Sequence, residues 1–97
     1  MTGLFIAFEG GDACGKTTQA RRISELLGAV FTREPGGTEV GESLRELLLD
    51  AETPLGFRTE ALLMAASRAQ LVEEVIRPNL ESELHVVSDR FLASSIV

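Results

Sequence analysis

The sequence predicts an α/β fold with a parallel sheet flanked by helices. Three observations support this. Leu4 to Phe8 is apolar at every position, as in a parallel strand covered on both faces. Strand-like runs alternate with segments of helical period along the chain. The first strand is followed by Gly10-Gly11-Asp12-Ala13-Cys14-Gly15-Lys16-Thr17, a glycine-rich loop that opens a helix.

The elements follow in order. Leu4 to Phe8 is the first strand and Glu9 to Gly15 the loop. Lys16 to Leu27 is the first helix, with Ala20, Ile23 and Leu27 on one stripe and Arg21, Arg22 and Glu25 facing water. Gly28 stops that helix. Ala29 to Thr32 is a short second strand. Arg33 to Gly37 contains Pro35, Gly36 and Gly37 and reads as a loop. Thr38 caps a helix over Glu39 to Asp50, whose apolar face is Val40, Leu44, Leu47 and Leu48. Ala51 to Arg58 connects it to the longest helix, Thr59 to about Leu80. Leu62, Ala65, Ala66, Ala69, Val72 and Ile76 recur there at helical spacing, and the alanines suit close approach of a neighbour. Pro78 is expected to kink or end the helix. Leu84 to Ser88 is the third strand, followed by Asp89-Arg90-Phe91, and Ala93 to Val97 begins another helix.

Composition sets bounds. The chain has 97 residues, enough for one small domain, with 44% hydrophobic and 25% charged residues. Its net charge of -6 and the absence of a basic run argue against a general nucleic-acid binder. A single cysteine, Cys14, forms no internal disulfide, and no run approaches the ~20 apolar residues of a membrane span. The expectation is a cytoplasmic protein with no membrane or nucleic-acid partner. His85 has no second ligand with which to make a metal site.

The loop has the form G-x-x-x-x-G-K-[ST], which cradles a polyphosphate. Gly10 and Gly15 let the backbone N–H groups converge on the anion. Lys16 supplies a compact positive charge, Thr17 a hydroxyl for Mg²⁺, and the following helix a favourable dipole. Cys14 has two readings: an inert small residue, or, two residues from Lys16 and before a helix N-terminus, a thiol in conditions that favour the thiolate. In parallel sheets ligands lie beyond the carboxyl ends of the strands. The phosphate loop, Arg33 to Thr38 and Asp89 to Phe91 all fall there.

With Thr32-Arg33-Glu34-Pro35-Gly36-Gly37-Thr38, then Arg68-Ala69-Gln70, then Asp89-Arg90-Phe91, the chain resembles the thymidylate kinase family across nearly all its length. The resemblance implies a P-loop kinase fold, ATP and dTMP as partners, Mg²⁺, a homodimer, and transfer of the ATP γ-phosphate to dTMP to give dTDP. Carried over by position, Gly10, Gly11, Asp12, Ala13, Cys14, Gly15, Lys16, Thr17 and Thr18 hold ATP. Asp12 also resembles the acidic residue that reaches the sugar 3′-hydroxyl. Arg33 and Arg90 resemble the arginines on the acceptor phosphate and the transferring group. With Lys16 and Asp12 they form the expected catalytic set. Arg68 resembles the arginine facing the thymine carbonyl, Phe91 the aromatic wall of the sugar, and Asp89 the carboxylate that orients Mg²⁺ and its waters; Thr17 and Asp89 are the expected metal residues.

The sequence departs from the family at three places. Met64 stands where phenylalanine commonly stacks on thymine; it shares a helix face with Arg68 but gives up ring stacking worth roughly 0.5–1.5 kcal/mol. Ser67 precedes Arg68 where many relatives have aspartate, so a partner for that arginine is missing. Ala13 and Cys14 bring no basic residue to the loop, which places basic catalytic groups in a lid. The lid, the adenine loop and the last strands are not among these residues. The expectation is therefore one P-loop domain over 1–97, truncated before the lid, inactive alone and marginally stable, with an edge on its first strand that later strands would cover. The loop itself does not choose the acceptor. A P-loop kinase for another small acceptor, a nucleotide-dependent switch or ATPase subunit, and a non-catalytic assembly piece stay open on the residues alone.

Overall fold

A computed structural model of the chain describes residues 3–9 and 16–90. The elements run β1 (Phe5–Glu9), α1 (Lys16–Leu27), β2 (Val30–Glu34), α2 (Glu39–Leu49), α3 (Phe57–Leu71), a π-helical turn (Val72–Ile76), α4 (Arg77–Glu81) and β3 (Val86–Arg90). The sheet is parallel, in the order β1-β3-β2. It is flanked by helices, as the sequence predicts. The expected helix from Ala93 lies outside the described residues.

β3, rather than β1, is the covered strand. Val86, Val87, Ser88 and Asp89 are all buried, whereas β1 is only half-buried and pairs on one side among the described residues. The reason is topological. The α1 crossover leaves a slot between β1 and β2, and β3 fills it. An apolar run marks a strand but not its rank in the sheet.

β2 and β3 also extend beyond the apolar runs that announce them. Arg33 and Glu34 are strand residues, as are Asp89 and Arg90. Their side chains are charged, but their backbones continue the parallel ladder. Arg33 lies beside Asp89, and Glu34 beside Arg90, with Phe8 and Glu9 on the other side of β3. The loop proper is therefore Pro35 to Thr38. Gly36 and Gly37 take φ of 125° and 86°, where side chains are strained. A Cβ on Gly36 would also meet the Glu42 carboxylate, and one on Gly37 the Thr32 hydroxyl and Leu71.

The helices follow their predicted ranges more closely than their predicted faces. α1 has the expected bounds and ends at Gly28, with φ of 63°. Its buried residues are Ala20 and Ser24, while Leu27 is exposed. Ser24 Oγ donates to the Ala29 carbonyl at 3.1 Å, so a polar side chain enters the interface with its hydrogen bond made. α2 has the expected cap, with Gly41 N donating to Thr38 Oγ1 at 2.8 Å. Leu44 and Leu48 are half-buried, but Val40 and Leu47 are exposed.

α3 starts at Phe57 rather than Thr59. Its buried residues are Ser67 and Leu71, followed by Ile76. Leu62, Ala65, Ala66 and Ala69 are exposed. The alanine stripe thus faces outward, and Ser67 is the small residue at the close approach, held by a hydrogen bond from the loop. Pro78 does not end the helix. It lacks an N–H and its ring crowds the carbonyl four residues back. A widened π turn precedes it, and Asn79 Nδ2 donates to the Val75 carbonyl at 2.6 Å. Helical backbone then continues to Glu81.

Leu71, Ile76 and Val86 form the core, with Phe5, Val30, Val72, Val75 and Leu80 packed around them. This core lies under the α3 side of the sheet and leaves the carboxyl ends of the strands open to carry polar groups. No helix among the described residues is long and apolar enough to cross a membrane.

Candidate functional site

Successive strand residues point to opposite faces of a sheet. That alternation divides the charged ends of β2 and β3 into two groups.

On the face toward α1, Thr17 Oγ1 donates to Asp89 Oδ2 at 2.8 Å. Thr17 sits in the first turn of α1 because the helix starts directly after the phosphate loop. Asp89 is buried at the end of the central strand. A hydroxyl and a carboxylate meeting beside a phosphate loop are oxygen donors of the kind Mg²⁺ prefers. Among the described residues no group of three His, Cys, Asp or Glu is placed to hold a metal.

Arg33 extends from the neighbouring position of β2. Its Nε and Nη2 donate to Glu42 Oε2 and Oε1 at 3.1 and 2.5 Å. The two side chains are 49% and 41% exposed. The hydrogen bond to Glu42 raises the Arg33 pKa, and the same bond, with a second from Gly37 N at 2.9 Å, lowers that of Glu42. Arg33 also borders an open cavity of about 280 Å³ between α1 and β2, shared with Phe31, Thr32, Gly37 and Arg21, whose guanidinium lies 4.7 Å from the Phe31 ring centre.

On the opposite face Glu34 is the hub. Its Oε1 accepts from Arg68 Nε at 2.6 Å, and its Oε2 from Arg90 Nε at 2.9 Å and Ser88 Oγ at 2.8 Å. Its side chain is 5% exposed. Burial by itself would raise the carboxyl pKa; the bonds from Arg90, Arg68 and Ser88 outweigh it, and the net shift is downward. Arg90 is desolvated as well, yet Glu34 and Glu9 raise its pKa. Arg90 Nη1 donates to Glu9 Oε2 at 2.7 Å. The register makes this row possible, because Glu9, Arg90 and Glu34 are side by side across the sheet.

The turn between β2 and α2 is fixed to both neighbouring helices. Gly36 N donates to Ser67 Oγ at 3.0 Å, and Arg45 Nη1 donates to the Pro35 carbonyl at 2.9 Å. No buried side-chain nitrogen or oxygen among the described residues lacks a partner.

Of the residues singled out from the sequence, the structure brings together Thr17 with Asp89, and Arg68 with Arg90. Arg33 reaches the same sheet edge from the other face. Met64 is half-buried on α3, one turn before Arg68, as their spacing predicts; Thr18 is exposed. Gly10, Gly11, Asp12, Ala13, Cys14, Gly15 and Phe91 lie outside the described residues, as does the side chain of Lys16. One expectation is corrected. Arg68 does not lack an orienting partner for want of an aspartate at Ser67, because Glu34 supplies the carboxylate from β2. Ser67 serves instead to hold the turn. Glu34 and Glu42 were not among the predicted site residues. Glu34 lies inside the Arg-Glu-Pro-Gly-Gly-Thr segment, and that membership is the signal by which it was available.

A parallel sheet with a phosphate loop after its first strand, a threonine–aspartate pair beside it, and arginines at the same edge belongs to a P-loop kinase fold, here represented in part. The family model described as thymidylate kinase matches residues 8–97. The chain belongs to the thymidylate kinase family. It is 53% identical over 102 residues to thymidylate kinase of Caldanaerobacter subterraneus subsp. tengcongensis, covering 100% of this chain and 49% of that protein. It is 52% identical over 96 residues to that of Neisseria meningitidis serogroup B, covering 94% and 47%. Among solved structures it superposes on thymidylate kinase from Ehrlichia chaffeensis with TM-score 0.79 and 42% identity, covering 94% of this chain and 55% of that one. Thus the chain spans about half the length of the curated relatives it matches.

Proposed function

We propose that this protein is a dTMP kinase, transferring the γ-phosphate of ATP to dTMP to give dTDP. The observation that carries the proposal is the division at the end of β3. Asp89 faces Thr17 and the phosphate-loop helix, while the next residue, Arg90, faces Arg68 on the opposite side. A donor polyphosphate and an anionic acceptor are thereby anchored on adjacent residues of one strand.

Phosphoryl transfer needs positioning and charge neutralisation more than covalent chemistry. Lys16 and the loop amides are assigned to the ATP phosphates, with Asp12 reaching the acceptor sugar. Thr17 and Asp89 are assigned to Mg²⁺, which when bound neutralises charge on the phosphate oxygens. Arg90 holds the acceptor phosphate. Arg33 joins it when an incoming phosphate competes with the exposed Glu42 carboxylate. Arg68 meets the base, against Met64, and Phe91 walls the sugar. These residues provide the phosphate-loop and acceptor sides, and turnover by the 97 residues alone is not expected. The protein is further proposed to be cytoplasmic and homodimeric, the outward stripe of α3 being the face available to a twin, with no nucleic-acid or membrane partner.

The test is a coupled assay of ADP formation with the protein expressed from its complete gene, comparing dTMP with dUMP, CMP and AMP. The expected result is a preference for dTMP, reduced about 100-fold in kcat/KM by Arg90→Ala. ADP formation that does not depend on dTMP would refute the assignment.

A further inference from the structure

We propose that Glu34 is a positioning residue whose one carboxylate fixes Arg68 and Arg90 relative to each other, so that the two ends of the acceptor site are set as a unit. The inference rests on the dTMP reading above for what the arginines touch, and on geometry for what Glu34 does.

The two arginines come from different elements, Arg68 from α3 and Arg90 from β3. They bind opposite oxygens of the same group, at 2.6 Å to Oε1 and 2.9 Å to Oε2. Both are gripped by Nε, the inner edge of the guanidinium. Arg68, its side chain 42% exposed, is held through Nε among the described residues, which leaves the outer fork of its guanidinium for a ligand. Planar guanidinium groups recognise ligands through that fork, and its direction is set once Nε is held.

Without Glu34, two cations would share one sheet edge and repel. Glu34 removes that repulsion while itself being 4% exposed. It is held on the strand register beside Arg90, and Ser88 Oγ occupies a further site on Oε2 at 2.8 Å. A carboxylate gripped in this way has little freedom to follow a moving arginine; the arginines must conform to it. Another partner of Arg90 differs: the Glu9 side chain is 49% exposed and is free to yield Nη1 to a phosphate. Glu34 is therefore the fixed contact of Arg90 and Glu9 the exchangeable one. A merely structural anchor needs no charge, because well-packed apolar groups replace buried ion pairs without loss. Two charged groups held at an open edge give this carboxylate a purpose beyond packing.

The test uses Glu34→Gln, Glu34→Asp, Arg68→Ala and the Glu34→Gln/Arg68→Ala double variant, in the protein expressed from its complete gene. Glu34→Gln is expected to raise KM for dTMP about tenfold and to leave KM for ATP unchanged. The double variant is expected to fall short of the product of the two single effects, because both changes remove the Glu34–Arg68 contact, and to lie below Arg68→Ala only by what releasing Arg90 costs. Glu34→Asp keeps the charge but loses a methylene, reaches one arginine, and falls between Gln and the wild type. It carries the comparison if the Gln variant does not fold. Equal shifts in both KM values, or effects of Glu34→Gln and Arg68→Ala that multiply, would overturn the proposal. Exchange of the Arg68 and Arg90 Nε–H protons, followed by NMR, gives a readout independent of turnover. It is expected to be slow in the wild type and fast for both arginines in Glu34→Gln; unchanged exchange overturns the proposal. A wild-type protein without dTMP-dependent turnover counts against the dTMP assignment alone, and the exchange rates then decide the role of Glu34.

Discussion

Arg33 and Glu34 are consecutive at the end of β2 and leave the strand on opposite faces, each into an ion pair. Arg33 meets Glu42 nine positions along the chain, at the surface, with both side chains about half exposed. Glu34 is buried, and its partners Arg68, Ser88 and Arg90 are 34, 54 and 56 positions away. Water screens the first pair and competes for it, so it gives little stability and opens readily. In the second the carboxylate itself is shielded from water even though Arg68 is 42% exposed, and breaking the pair leaves its charge in a poorly solvated place. Adjacent residues of opposite charge therefore have different uses. On the proposed function, Arg33 is the one that a ligand can draw away from its partner, and Glu34 the one that holds other residues toward a ligand.

Removing the hub is the largest expected perturbation. Glu34→Ala leaves two arginines facing each other and should cost about 3 kcal/mol in urea unfolding. A loss below about 1 kcal/mol would put Glu34 in the same class as Glu42. The hub also has a pH signature. The folded-state pKa of Glu34 is lowered, so its contribution is fully present above the unfolded glutamate value of about 4.3 and is lost as pH falls through the folded value. Stability measured from pH 6 down to pH 2 should therefore fall less steeply in Glu34→Gln than in the wild type. Parallel curves would show that the buried carboxylate is not what is being titrated.

Ser67→Ala is next. It strips the partner from the Gly36 N–H and frees the turn from α3, at about 2 kcal/mol. Hydrogen exchange at Gly36 should quicken with it. Smallest is Glu42→Gln, expected to cost less than about 1 kcal/mol at low salt and nearly nothing at high salt. If Glu42→Gln proved as damaging as Glu34→Ala, exposure would not be what separates the two pairs.

The legibility of the molecule follows the same division. α1 was readable to its end residues, because a glycine-rich start, an amphipathic repeat and Gly28 are local signals. Thr38 was readable as a cap because its partner, Gly41, is three positions away. The apolar cores of β2 and β3 announced strands but not their charged ends, which are strand only because neighbouring strands pair with them. The alanine stripe of α3 misled for a related reason. Small residues permit close approach, and which side of a helix is approached depends on hydrogen bonds such as that between Ser67 and Gly36. Glu34 could be quoted as part of a motif, yet its role required knowing what lay beside it.

By itself the sequence determined the α/β class, the order of its elements, the phosphate loop and the family, because each is recorded in local spacing or in motifs kept in chain order. The tertiary structure decided that β3 lies between β1 and β2, that Thr17 meets Asp89, and that one buried glutamate holds two arginines. These depend on strand order and register, which bring together residues tens of positions apart. The spacing of residues along a chain carries the local hydrogen bonds of helices and caps; it carries no distance between elements until the sheet has formed.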